Sequence, residues 1–119
     1  MAVVLGLKSL IDANLVMVRG VTFEATFMYY LKEGSGEIPV DMTGWNAQCQ
    51  IRDASDHLVL DMSRNISFFD GYLTLKVQDE ETLPVPAGKY EWDMLLEDTN
   101  GDVIRLAAGK VSMYEKISK

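Results

Sequence analysis

The sequence predicts an all-β fold: two facing antiparallel sheets made from about eight short strands, with a small closed barrel as the alternative closure. Two observations lead there. Apolar and polar residues alternate with a period of two, as in Tyr90, Trp92, Met94 and Leu96 against Glu91, Asp93 and Glu97. Turn-forming residues then interrupt the alternation roughly every 8–12 residues.

The elements follow in order. Residues 1–13 read as an N-terminal arm and residues 14–119 as the sandwich domain. In the arm Val3, Val4, Leu5, Leu7, Leu10 and Ile11 are apolar with mixed period, and Leu5, Leu7, Leu10 and Ile11 fit a short amphipathic helical turn. Asn14–Val18 reads as a first strand, closed by Arg19-Gly20. Val21–Lys32 is the clearest strand, with Phe23, Ala25, Phe27, Tyr29 and Leu31 on one face and Thr22, Glu24, Thr26 and Met28 on the other. A flexible turn at Glu33–Glu37 and a corner at Thr43-Gly44 precede the strand Trp45–Arg52, whose inward side carries Trp45, Ala47, Cys49 and Ile51.

After a polar turn, His57–Met62 places Leu58, Leu60 and Met62 on one face. Ile66–Phe69 and Tyr72–Val77 form a hairpin about Asp70-Gly71, with Leu73, Leu75 and Val77 inward. Asp79–Pro86 suits one helical turn, capped by Asp79 and ended by Pro84. Lys89–Glu97 is a strand, and Asn100-Gly101 suits a tight hairpin because both residues tolerate positive φ. Two last strands, Asp102–Ala107 and Lys110–Tyr114, are separated by a break at Gly109.

At 119 residues the chain is one domain, able to bury roughly 65% of its unfolded surface. Its formal net charge of −7 disfavours phosphate backbones and anionic membrane surfaces as partners. The single cysteine, Cys49, allows no internal disulfide and reads as a small buried hydrophobe. No apolar run approaches the ~18 residues of a membrane span, and Lys8 and Asp12 interrupt the N-terminal apolar stretch, which reads as a mature arm rather than a signal peptide.

Few residues carry chemistry. One His and one Cys do not make a zinc site, and His57 lies in a polar turn without a nucleophile elbow. No glycine-rich loop precedes a helix. Asp98, Asn100 and Asp102 superficially match a calcium loop, but a hairpin turn demands the same residues. Trp45 and Trp92 fall on inward positions; an exposed sugar-stacking platform has only Phe68, Phe69 and Tyr72 to draw on, and these flank Asp70-Gly71 and equally suit ordinary hairpin packing.

Val40-Asp41-Met42-Thr43-Gly44-Trp45, the strand Ala47–Arg52, Pro86-Ala87-Gly88-Lys89-Tyr90-Glu91-Trp92-Asp93-Met94 and the stretch Gly101–Met113 stand in an order that resembles small Ig-like β-sandwich proteins of tailed bacteriophages and prophages. The chain is similar to the N-terminal domain of upper-baseplate proteins and to short proteins encoded near tail-fibre genes, from about Arg19 to Tyr114. Met42 and Met94 replace the usual leucines.

The resemblance implies a virion structural protein rather than an enzyme: a tail, baseplate, fibre or head-decoration module, made in the bacterial cytoplasm, with no cofactor. Its partners would be other virion proteins and further copies of itself in a symmetric assembly. Its motif residues read as structural. Gly44 and Gly88 permit turns, Asp41 and Thr43 lock the corner before Trp45, Tyr90 and Trp92 fill the core, and Asp93 pairs with Arg105 across the hairpin ahead of Gly109. Docking would use an exposed sheet edge or insertion of the arm Val3–Ile11 into a neighbour. A carbohydrate-binding module is the alternative, and a carboxylate-dependent hydrolase a third reading.

Overall fold

A computed structural model describes residues 3–4, 11–34 and 36–116 of the chain. In chain order the strands are β1 (Val3–Val4), β2 (Ile11–Asp12), β3 (Leu15–Val18), β4 (Phe23–Met28), β5 (Tyr30–Glu33), β6 (Gly36–Pro39), β7 (Asn46–Arg52), β8 (Leu58–Asp61), β9 (Ile66–Phe69), β10 (Tyr72–Val77), β11 (Gly88–Glu97) and β12 (Val103–Tyr114). A 3-10 turn covers Ser63–Asn65, and one short helix, α1, covers Asp79–Thr82.

One sheet runs β4-β10-β9; the facing sheet runs β12-β11-β7-β8, with β2 and β3 laid along β12; β1, β5 and β6 form a small third ladder. The two main sheets close on a core in which Leu73, Leu75 and Val77 of β10 meet Cys49, Ile51, Met94, Leu96, Leu106 and Val111, all essentially inaccessible to solvent. The inward set follows directly from period-two alternation on both sheets.

This arrangement is an Ig-like β-sandwich. The second, fifth and fourth strands of an immunoglobulin domain make one sheet and the third, sixth and seventh the other, which β4-β10-β9 and β7-β11-β12 reproduce. A tyrosine corner is present as well: the Tyr90 hydroxyl at the start of β11 donates to the Pro86 carbonyl at 2.6 Å. In immunoglobulin domains a disulfide ties the two sheets two residues past that tyrosine. Here Trp92 holds the position and packs on Phe27 of β4 with ring centroids 6.0 Å apart. An aromatic pair thus joins the sheets without sulfur chemistry.

Several details differ from the sequence reading, each for a local reason. The chain is not wholly antiparallel: β2 and β3 pair with β12 in parallel. The strand expected over Val21–Lys32 is broken at Tyr29, whose N–H donates to Gly71 and whose carbonyl accepts from Val40, so the backbone leaves β10 and swings into the β5–β6 hairpin. Leu58, expected inward, is exposed, because the β7–β8 register shifts between Ile51 and Arg52.

Gln78, not Asp79, holds the N-cap position of α1, and no side chain caps it; Asp79 is the first helical residue. In the last hairpin only Gly101 takes a positive φ, of 87°, because the turn is built on Asp98 rather than on a two-residue Asn-Gly loop. Asp98 Oδ1 accepts the N–H groups of Asn100 and Asp102 at 2.9 Å each.

Gly109 is the largest departure. It does not break the chain; β12 runs through it. A Cβ there would stand 2.0 Å from the Ala13 carbonyl oxygen. Glycine is required because the N-terminal segment passes directly over it. A second irregularity lies where β11 meets β12: the register shifts between Met94 and Leu95, so Leu106 and Ala107 both turn inward.

Candidate functional site

The arm residues fall in two places. Val3 and Val4 pair with Lys32 and Leu31 of β5, and Ile11 pairs with Ala107 of β12. Leu5, Leu7 and Leu10 lie outside the described residues. Beyond Ile11 the attachment tightens. Ala13 N–H donates to the Ala108 carbonyl at 3.0 Å, the Trp92 indole Nε1 donates to the Ala13 carbonyl at 2.8 Å, and Asn14 Oδ1 accepts from Lys110 N–H at 3.1 Å. Residues 11–18 therefore belong to the sandwich frame.

The corner before β7 is fixed by Asp41, whose Oδ1 accepts both the Thr43 N–H at 3.1 Å and the Thr43 hydroxyl at 2.6 Å. These bonds hold the Asp41 carboxyl below its ordinary value. Gly44 follows with a φ of 80°, and the half-buried Trp45 packs edge-on against Tyr29 at 6.2 Å. Sequence reasoning missed that the device occurs twice. Asp61-Met62-Ser63 repeats Asp41-Met42-Thr43, with Asp61 Oδ1 accepting from Ser63 N–H and hydroxyl at 3.0 and 2.6 Å, and both methionines buried. The recurring Asp-Met-(Ser/Thr) tripeptide is the signal that would have found it. The Ser63 hydroxyl in turn accepts from Cys49 N–H at 3.0 Å and ties that corner to β7.

Asp93 and Arg105 do not form the expected cross-strand pair. Asp93 stands opposite Ala108 and Arg105 opposite Leu95, so the two lie at different levels of the ladder, on either side of the bulge at Met94/Leu95. Both instead line a shallow cleft of about 260 Å³ with Gln50, Arg52, Asp53 and Glu91. Arg52 is engaged there by Gln50 and the Asp56 carbonyl, and Glu91 pairs with Lys110 at 3.0 Å. The cleft thus mixes both signs of charge, with Arg52 also 3.9 Å from the Asp56 carboxylate.

The outward face of β4-β10-β9 has a different character. Pairing sets Phe69, Tyr72 and Met28 in one row across three strands, and all three are exposed, at 76%, 40% and 56%. Tyr30 sits beside the row with its hydroxyl 3.8 Å from the Met28 sulfur, and the neighbouring Tyr72 hydroxyl raises the Tyr30 phenol above its ordinary value. The next row is Ser67, Thr74 and Thr26, with the two threonine hydroxyls 3.3 Å apart. Lys76 and Glu24 are paired beyond it. Phe68 instead turns inward and packs on the core.

Cys49 is buried, and that burial pushes its thiol up to about 12. His57 is exposed, 3.4 Å from Asp53. Among the described residues no group of three or more His, Cys, Asp or Glu side chains is placed to hold a metal. No helix among them is long and apolar enough to cross a membrane.

No protein-family model matches the chain, and no curated protein matches it. Among solved structures it resembles part of the endo-beta-1,4-mannanase from Thermotoga petrophila, with a TM-score of 0.51 at 13% identity over 87% of this chain. The matched region is 18% of the mannanase, so the likeness concerns the fold of one segment of that enzyme. Weaker likenesses link it to CopC from Methylosinus trichosporium OB3b (TM-score 0.48, 9% identity, 100% of this chain and 99% of that one). The fibronectin(III)-like modules of Clostridium thermocellum CbhA follow (0.42, 8%, 97% and 98%).

Proposed function

We propose that this chain is a structural module of a tailed-phage virion, in the tail, baseplate, fibre or head decoration, made in the host cytoplasm and working by protein–protein docking without catalysis. The observation that carries the reading is the use of the motif residues behind the phage resemblance. Asp41 and Thr43 build a corner, Tyr90 bonds the backbone of Pro86, and Trp92 and Gly109 seat the N-terminal segment. All of them serve the frame, which leaves surfaces to do the biology. Docking of repeated copies around a symmetry axis suits such a rigid, disulfide-free sandwich.

The test is particle composition. Purified particles from a lysate of the host are expected to contain this chain at a fixed multiple of a tail or head protein. A variant lacking Met1–Leu10 loses the pairing of Val3 and Val4 with β5 but keeps the Ala13 and Asn14 bonds, and is expected to remain a folded monomer yet fail to enter particles. Absence of the full-length chain from purified particles would overturn the reading.

A further inference from the structure

We infer that the outward face of β4-β10-β9 is a binding face for a neutral oligosaccharide. The inference goes beyond the virion reading and does not depend on it.

Its chemistry is layered. Phe69, Tyr72 and Met28 form an exposed apolar row two strand spacings wide, about 10 Å. Immediately beside it runs a row of hydroxyls from Ser67, Thr74 and Thr26. A pyranose ring has the matching two-sided character: C–H bonds on its faces and hydroxyls around its rim. Aromatic rings receive the faces, and side-chain hydroxyls, which both donate and accept, receive the rim.

Charge and size decide the occupant. The chain carries a net −7, yet this face holds one acid and one base set opposite each other, Glu24 and Lys76. Asp70 in the turn and Glu37 near Tyr30 add only acids at the end of the row, so neither the face nor the acidic remainder of the molecule attracts an anionic ligand. Three strands of up to six residues give a face on the order of 300 Å². A stable protein interface needs about 800 Å² on each partner. The face is therefore too small to hold a second copy on its own and large enough for a short sugar chain.

Met28 supplies the readout. Among the described residues the other methionines, Met17, Met42, Met62, Met94 and Met113, are all buried, so the methyl group of Met28 reports on this face. The full chain, with carbon-13 methyl-labelled methionine, is titrated with maltohexaose, cellohexaose, mannohexaose and an array of neutral bacterial surface oligosaccharides, with lipoteichoic acid as the anionic comparison. At least one neutral probe is expected to shift the Met28 methyl saturably and leave the buried methyls in place. Tyr72→Ala and Phe69→Ala should each weaken that binding at least tenfold, and Val16→Ala on β3 should not change it.

Three outcomes would overturn the inference: no neutral probe moves Met28 at millimolar concentration; binding survives Tyr72→Ala and Phe69→Ala; or Met28 shifts with protein concentration alone and light scattering finds a dimer that Tyr72→Ala dissolves. None of these bears on whether the chain is found in particles, so the two proposals fail separately.

Discussion

The indole Nε1 of Trp92 donates to the carbonyl of Ala13 at 2.8 Å, directly above Gly109, the residue paired with Trp92 across the ladder. One side chain thus fills the core against Phe27 and fastens the N-terminal segment to the far edge of the sheet. Trp92→Phe keeps a ring and removes the donor, stranding a carbonyl, and is expected to cost about 1–2 kcal/mol. Gly109→Ala forces the backbone at Ala13 outward, with an expected loss of about 1–3 kcal/mol. Urea unfolding gives both values, and faster amide exchange at Ala13 in each variant would locate the damage.

Thr82 is fully buried and polar. Its hydroxyl accepts from Gly20 N–H at 3.0 Å and lies 3.2 Å from the Val21 carbonyl, pinning α1 to the turn between β3 and β4. Thr82→Val preserves shape and leaves those groups without a partner. The expected loss is about 1–3 kcal/mol by equilibrium unfolding.

Met62 and Met28 make a matched pair of controls for the core. Met62→Ala empties a site with no solvent exposure and should cost about 2–5 kcal/mol. Met28→Ala on the outer face should stay within about 0.5 kcal/mol. Similar losses for the two would mean that the sheet faces are assigned the wrong way round.

Stability should fall in acid, and two corners should contribute. The Ser63 hydroxyl and N–H lower the Asp61 carboxyl as those of Thr43 lower Asp41. A depressed folded value means the stabilisation is complete above the ordinary value of 3.8 and is lost as pH falls through the lower folded values. Asp41→Asn with Asp61→Asn is expected to flatten the thermal-melting profile below about pH 4 and leave its slope near neutrality unchanged.

The thiol of Cys49, pushed up to about 12 by burial, is expected to resist iodoacetamide in the native protein and to react promptly in denaturant. Rapid labelling under native conditions, read by mass spectrometry, would contradict its place in the core.

Alternation made the sheets legible. Leu73, Leu75 and Val77 turn inward as their spacing requires, because both faces of the sandwich obey the same period. Departures came from contacts made between distant segments. Gly109 reads as a break when only its neighbours in sequence are considered; the Ala13 carbonyl above it gives the actual reason for glycine. The β4/β5 kink depends on Gly71 and Val40, and the inward turn of both Leu106 and Ala107 on a bulge that no local composition announces. The exposed row was legible in part: Phe69 and Tyr72 flank the Asp70-Gly71 turn, whereas Met28 is remote in sequence and only strand pairing brings it beside them.

The parallel seam of β3 on β12 joins segments such as Asn14 and Lys110, 96 positions apart. A ribosome would release the first of these long before the second exists. The early segment must wait, its apolar residues unsheltered, until the closing ribbon emerges. So distant a union places this chain among the slower two-state folders, on a scale of milliseconds to seconds. During synthesis, that interval is when chaperones would find the most to hold.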